Sequence, residues 1–483
     1  MFAIFALMAG SLILDALARP RAQAFPSTRS LTGAWLLWLH ALLPLGVFLT
    51  ISGNLEVSAG LSLALIGLFT MVSNAKRAML GEALVFSDLA LLGAVFRHPQ
   101  FYFSALTRVQ KAVLALAAPI VPALLWWVFV PDATAHLTGL ALLVISAGLL
   151  RLTMKLPPWT GLGQVPDSEA DVQRHGLIPT LFVHWLRWRE TRDPALLPPT
   201  AGRLPESDEL AIVIQCESFA DPARLFGDPA LVLPGLDAAR AAGWASGSLE
   251  VHGFGAYTMR TEYGVLFGRS EQALGFRRFD PFLTATREAS YALPQRLKPS
   301  GWRSLFVHPH DMRFYNREAI MTAGGFAELV GQERFAPPAP EEGRYVTDAA
   351  MADEILSLAR SATQPTLIYA VTIENHGPWT SGPQDHDLRS GYLRLLRKGD
   401  AMLAALAKGL AALQRPATLV FFGDHRPSIP GHTSPDGARD TPFVVLRFDR
   451  TGQAMPRGAE ERESSVTPAG LHQLILDVLL RGE

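Results

Sequence analysis

The first third of this chain is a series of apolar runs too long and too close together for one water-soluble fold. Segments at about 31–50, 57–73, 112–130 and 136–154 each approach the roughly 20 residues that a helix needs to cross a bilayer. A fifth run, FAIFALMAGSLILDALA at 2–18, is interrupted by Asp15. No basic stretch precedes it, so it reads as an uncleaved span and not as a removable signal. The run LVFSDLALLGAVF at 84–96 is too short to cross and is expected at the interface or against the other helices. A five-helix transmembrane bundle over 1–155 follows. The positive mean hydropathy of +0.19 agrees with a membrane-embedded segment.

Charge and cysteine exclude some classes. With 43 basic and 44 acidic residues, the chain has no basic excess of the kind that marks a nucleic-acid binder. Cys216 is its only cysteine, so no intramolecular disulfide can form. Basic residues near the apolar runs cluster at Arg19, Arg21 and Arg29, at Lys76, Arg77, Arg97, Arg108 and Lys111, and at Arg151 and Lys155, while the loops 51–57 and 131–135 have none. The positive-inside bias then puts everything after residue 155 in the cytoplasm.

Residues 156–209 form a Pro-rich juxtamembrane linker. Within it LIPTLFVHWLRWRE (177–190) reads either as an interfacial amphipathic helix with snorkelling Trp and Arg or as an ordinary surface helix. From 210 to 483 short β-rich runs (211–216, 246–253, 302–308, 366–373, 418–423, 442–448) alternate with helical patterns (349–360, 392–413, 471–480). This alternation predicts an α/β domain with a mainly parallel sheet. In such sheets ligands bind beyond the carboxyl ends of the strands.

The residues at those ends are polar. Glu217 and Ser218 follow the first run, His310 and Asp311 follow the third after its final His308, and Glu374, Asn375 and His376 follow the fourth. Asp424, His425 and Arg426 follow the fifth. One such carboxylate is usually a helix cap. Four strand ends carrying carboxylate or imidazole to one rim point to a divalent cation: zinc or manganese for mixed N/O ligands, magnesium or calcium for oxygen alone.

The stretch GAYTMRTEYGVLFG, 255–268, sets Thr258 on a glycine-flanked turn. A hydroxyl needs a base, a lowered pKa or a metal to become a nucleophile, and Arg260 or the next helix N-terminus could neutralise an anionic substrate. A plainer reading makes Thr258 the cap of a helix starting near Arg260, with Thr261 and Glu262 in its first turn.

Together these places resemble the lipoteichoic acid synthase and phosphoglycerol transferase family, within the alkaline phosphatase and sulfatase superfamily. The matching pieces are IVIQCESF (212–219), YTMRTEY (257–263), FYNRE (314–318), TIENHGPW (372–379) and FFGDHR (421–426), over roughly 205–445. The resemblance implies that Glu217, Thr258, Asp424 and His425 hold one divalent metal, manganese foremost and zinc or magnesium otherwise, with Thr258 the nucleophile. It implies that Arg317 and His376 bind the phosphoglycerol group, His376 also acting as acid or base. Tyr315 stands where the synthases usually have tryptophan, and Arg260 and His310 complete the expected substrate side. After His425 the chain continues Arg426-Pro427-Ser428, where the synthases have an aromatic residue and glycine.

The implied reaction moves a phosphoglycerol group from a phospholipid such as phosphatidylglycerol, through a phosphothreonine, to a glycan or polyol. Phosphoethanolamine transfer and hydrolysis are the alternatives. Sulfatase chemistry needs a Cys or Ser in C/S-x-P-x-R, whereas Cys216 is followed by Glu-Ser-Phe-Ala. Family members work at the outer side of the bacterial cytoplasmic membrane, which implies an exported catalytic domain and opposes the loop charges.

Overall fold

The computed structural model describes residues 2–22, 29–90, 108–199, 202–339, 343–379, 387–457 and 463–482. They fall into two compact units, Met1–Thr191 and Arg192–Glu483.

In the first unit the apolar runs are helical: α1 (Phe2–Leu17), α2 (Leu31–Ser52), α3 (Leu55–Leu80), a short α4 (Phe86–Ala90), α5 (Arg108–Trp127) and α6 (Ala133–Thr153). Among the described residues three of them, α2, α3 and α6, are long and apolar enough to cross a membrane. Three of the five expected spans thus meet both length and composition among the described residues. Helix α1 has 16 residues, about 24 Å at 1.5 Å per residue, short of a typical hydrocarbon core. The expected run at 84–96 begins in α4, and its remainder, like Arg97, lies outside the described residues. Helices α2 and α6 touch through small residues. A Cβ on Gly139 would stand 2.4 Å from the Thr50 backbone nitrogen, the close approach that small residues permit between membrane helices.

Asp15, the acid inside the first apolar run, is buried and paired with Arg29 at 2.6 Å, and it also accepts from the Leu177 N–H at 2.9 Å. Lys76 pairs with Asp88 and Arg77 with Glu169. Two further helices, α7 (Ser168–His175) and α8 (Leu177–Glu190), belong to this unit. Helix α8 buries Leu177, Leu181, Val183 and His184 and stacks Trp188 on Phe86 at 5.6 Å. The 177–190 segment is therefore packed on the helical unit.

The second unit is built on an eight-stranded sheet of β1 (Leu210–Cys216), β2 (Ala245–Leu249), β3 (Arg303–Val307), β4 (Glu328–Val330), β5 (Thr366–Val371), β6 (Ala417–Gly423), β7 (Thr441–Phe448) and β8 (Glu463–Val466), in the order β4-β3-β5-β1-β6-β7-β2-β8. The sheet is mixed: β7 runs antiparallel to both neighbours, and the remaining pairings are parallel. Central β1 is buried along its whole length, which is why it reads as a continuous apolar run with no alternation. Leu210, Ile212, Ile214 and Cys216 point into one layer. There they meet Leu236 of α9 (Pro234–Ala242), Met351 and Ile355 of α12 (Asp348–Ser361) and Leu396, Leu403 and Leu406 of α13 (Leu388–Ala412). Three helices matter for the site or its support: α10 (Thr258–Phe267), α11 (Arg317–Ala323) and the last one, α14 (Pro468–Arg481), against which α10 packs.

Candidate active site

Strands β1 and β6 are parallel neighbours in register, Cys216 opposite Gly423. The residues just past their ends, Glu217 and the pair Asp424-His425, therefore emerge side by side. Close approach is built into this edge: a Cβ on Gly423 would stand 1.8 Å from the Phe219 carbonyl oxygen, so no other residue fits. The Ser218 N–H donates to Asp424 Oδ1 at 2.8 Å and its hydroxyl to Glu217 Oε1 at 3.0 Å. Tyr392 in turn fixes the Ser218 carbonyl at 3.0 Å.

The residues of the 255–268 stretch dock onto the same edge. Gly255 donates to the Arg426 carbonyl at 2.8 Å and Thr261 to that of Asp424 at 2.7 Å. All ten residues of α10 are buried. Thr258 is its first residue and not its cap. The cap position is Tyr257, in left-handed conformation at φ 73°, with no side-chain capping bond.

Four side chains converge as a result. Thr258 Oγ1 lies 3.4 Å from His425 Nε2, which is 3.4 Å from Glu217 Oε1 and 3.6 Å from Asp424 Oδ2. One ligand atom from each of Glu217, Asp424 and His425 lies within 4.8 Å of the others, and all three residues are buried. Because a carbonyl only accepts, the His425 Nδ1 contact with the Arg426 carbonyl at 3.2 Å puts the proton on Nδ1 and turns the Nε2 lone pair to the cluster.

The electrostatics of the cluster call for a cation. Burial and then Glu217 push the Asp424 carboxyl up from 3.8 to about 6, and its Oδ2 is buried without a hydrogen-bond partner. The folded chain holds that proton more tightly than the unfolded chain does, so this group withdraws stability as pH rises from about 4 to 6. A bound divalent ion removes that cost, and below about pH 6 protons compete with it. Burial opposes charge on His425, but Asp424 and Glu217 outweigh it and raise its pKa. Two carboxylates, an imidazole and a hydroxyl form a donor set suited to manganese or zinc.

A second cluster adjoins the first through α10. Arg317, the first residue of α11, sends Nε to Glu262 Oε1 at 3.1 Å and Nη2 to Oε2 at 2.7 Å. Its Nη1 reaches His308 Nε2 at 3.2 Å. Arginine has no acceptor, so His308 accepts there and donates from Nδ1 to the Val371 carbonyl at 3.0 Å. Burial and Arg317 hold its pKa well down, in the same neutral state. Burial opposes charge on Arg317, but Glu262 outweighs it and keeps the guanidinium charged. The Tyr315 ring lies 5.4 Å from that guanidinium.

His376, two residues past Glu374, donates from Nδ1 to the Gly377 carbonyl at 2.7 Å, and burial pushes its pKa down to about 4. Tyr345 joins this side, its ring 5.9 Å from His376 and 6.3 Å from His310. Arg260 is stacked 4.0 Å over Tyr257 and donates to the Phe279 carbonyl at 3.2 Å. Arg426 is tied to Asp440 at 2.7 Å. Glu374 stays out of the Glu217 cluster, bonding Lys398 and the Asp348 N–H.

Backbone strain marks the same places. Among the described residues five non-glycine residues have positive φ, and four of them adjoin these clusters: Ser218, Tyr257, Tyr315 and Asn316. Each such conformation costs about 1–3 kcal/mol and persists where surrounding contacts hold it, most often at functional sites. Glu262, His308 and Tyr345 are the contacts that sequence reasoning did not assign to the site. For Glu262 the available signal was an acid and an arginine set together in one short stretch, Arg260 and Glu262, between glycines.

The Sulfatase family model matches residues 209–475, more than half of the chain. The chain belongs to this family, within the alkaline phosphatase and sulfatase superfamily. It is 30% identical over 463 residues to the capsular polysaccharide biosynthesis protein RkpI of Rhizobium meliloti strain 1021, covering 88% of this chain and 85% of that one. A putative cyclic beta-1,2-glucan modification protein of the same organism is 26% identical over 251 residues, 48% of this chain and 38% of that one. Among solved structures, the integral membrane protein lipooligosaccharide phosphoethanolamine transferase A of Neisseria meningitidis aligns over 99% of this chain and 95% of its own, with a TM-score of 0.59 at 12% identity. That last likeness is one of fold.

Proposed function

We propose that this protein is a membrane-anchored, metal-dependent transferase that moves a phosphoglycerol group from a phospholipid such as phosphatidylglycerol to a glycan or polyol, with Thr258 as nucleophile. The observation that carries the reading is the Thr258 hydroxyl 3.4 Å from His425 Nε2, inside a buried cluster where that imidazole also stands 3.4 Å from Glu217 Oε1 and 3.6 Å from Asp424 Oδ2. Glu217, Thr258, Asp424 and His425 would hold one divalent cation, manganese foremost, which when bound supplies positive charge that lowers the hydroxyl's pKa and offsets charge on the phosphoryl oxygens.

The chain's own groups account for the rest. Thr258 Oγ1 bonds to phosphorus as the bond to the lipid alcohol breaks, and the hydroxyl proton leaves with that alcohol. The acceptor hydroxyl then bonds to phosphorus, and its proton returns to Thr258 as the phosphothreonine breaks. Arg317, oriented by Glu262 and His308, is the fixed positive charge for the non-bridging oxygens. His376, neutral with its acceptor at Nε2, would act as base for the incoming hydroxyl. The names of the two Rhizobium relatives, both concerned with polysaccharide or glucan, support a glycan acceptor. The full-length fold likeness to a phosphoethanolamine transferase favours that head group as the second reading, and water as acceptor would make the enzyme a hydrolase.

Mass spectrometry of the purified protein after incubation with labelled phosphatidylglycerol is expected to find a phosphoglycerol adduct on Thr258. A phosphoethanolamine adduct from mixed lipid would select the second reading, and an unmodified Thr258 would reject both.

The inferred site of action is the outer side of the bacterial inner membrane. The basic residues that argue otherwise include Arg29, Lys76 and Arg77, each ion-paired with Asp15, Asp88 or Glu169. Their packing role explains their presence without an orientation signal. Alkaline phosphatase fused after residue 200 is expected to be active; activity confined to a cytoplasmic reporter would reverse this orientation.

A further inference from the structure

We infer that the Tyr345 hydroxyl selects the head group of the donor lipid by donating a hydrogen bond to a hydroxyl of that group. This rests on the transferase reading above. The hydroxyl is shielded from solvent and has no hydrogen-bond partner among the described residues. Such a group is costly to leave unsatisfied, and a substrate hydroxyl would satisfy it.

The ring stands edge-on to His376 and His310, at interplanar angles of 67° and 64°, which sets the phenol among the imidazoles of the candidate site. Burial pushes the phenol up to about 12 against the nearby Arg344 charge, with Glu217 adding to the rise, so it keeps its proton. His376 has its Nδ1 proton committed to the Gly377 carbonyl, so the acceptor atom of its neutral ring is Nε2. A donor phenol beside an acceptor imidazole matches an alcohol, which both accepts and donates. An ammonium only donates. The Arg344 guanidinium, 5.0 Å from the Tyr345 ring, adds repulsion against a cationic head group. Together these features favour glycerol over ethanolamine.

The test compares full-length wild type and Tyr345→Phe in lipid–detergent micelles with three donors: phosphatidylglycerol, phosphatidylethanolamine and phosphatidylpropanol, whose head carries no hydroxyl. Tyr345→Phe keeps the ring and its packing. It is expected to lower kcat/KM for phosphatidylglycerol by about tenfold, the effect of one lost hydrogen bond to substrate, and to leave phosphatidylpropanol turnover unchanged. Equal losses on both lipids, or none on phosphatidylglycerol, overturn the inference. So does a wild-type enzyme that turns over phosphatidylpropanol or phosphatidylethanolamine as well as phosphatidylglycerol, a comparison that needs no variant to fold. Thr258→Ala run in parallel separates the failures. An inactive Thr258→Ala beside an indifferent Tyr345→Phe removes this inference alone, whereas an active Thr258→Ala removes the transferase reading and this inference with it.

Discussion

Thr258→Ala is expected to give a folded protein whose transfer rate is lower by roughly ten-thousandfold or more, the scale of losing a covalent nucleophile. Folding is spared for a local reason. Thr258 is the first residue of α10, whose cap position is Tyr257, so its side chain is not the helix cap, and alanine is a better helix former than threonine. The loss therefore reads as chemistry. Thr258→Ser, which restores a hydroxyl at the same atom position, should recover much of the rate. Chelation of the wild type should mimic the alanine variant and be reversed by added manganese, because two buried carboxylates and an imidazole are left facing one another without a cation. Turnover by Thr258→Ala near the wild-type rate would end the proposed mechanism, whatever its metal dependence.

Which parts of this could be read from sequence follows from the range of the interactions involved. The apolar runs announce helices because spanning length is a local property, yet the number of spans is not local. Helix α1 ends after 16 residues, and Asp15 in its last turn finds its partners at Arg29 and Leu177. Strands β1, β5, β6 and β7 announce themselves through apolar runs that carry β-branched residues. Strands β4 and β8, of three and four residues, are too short to carry a pattern. The polar residues past β1 and β6 were visible as strand-end residues, and the rule that ligands gather at carboxyl ends grouped them. Their closeness comes from β1 and β6 being register neighbours, which no local signal encodes.

Thr258 illustrates the limit at a single residue. The stretch offers a cap reading with good propensities, and the chain instead puts Tyr257 in a left-handed cap. That strain is held by bonds to Asp424 and Arg426, about 160 residues further along the chain. His308 was similarly hidden. It follows β3 directly and points to Arg317, while His310, two residues on, is among aromatic rings.

Glu262 is the residue whose importance is most concealed, and its removal carries the second large effect. In sequence it looks like a first-turn helix acid, worth a few tenths of a kcal/mol. In the structure its carboxylate is fully buried and takes both Nε and Nη2 of a buried arginine 55 residues away. Glu262→Ala leaves the Arg317 guanidinium buried without its counter-charge, a change that costs about 3–5 kcal/mol, and thermal denaturation should show a correspondingly lower Tm. Glu262→Gln, which keeps the shape but not the charge, should fall between. The same variants should lose transfer activity beyond what their folded fraction explains, since Arg317 loses the fork that aims it and retains only His308. A double-mutant cycle with Arg317→Ala separates the two contributions. If the pair acts as a unit, Glu262→Ala should cost little stability once Arg317 is already gone. Additive losses would mean that Glu262 stabilises α10 by itself and that the orientation of Arg317 is set elsewhere.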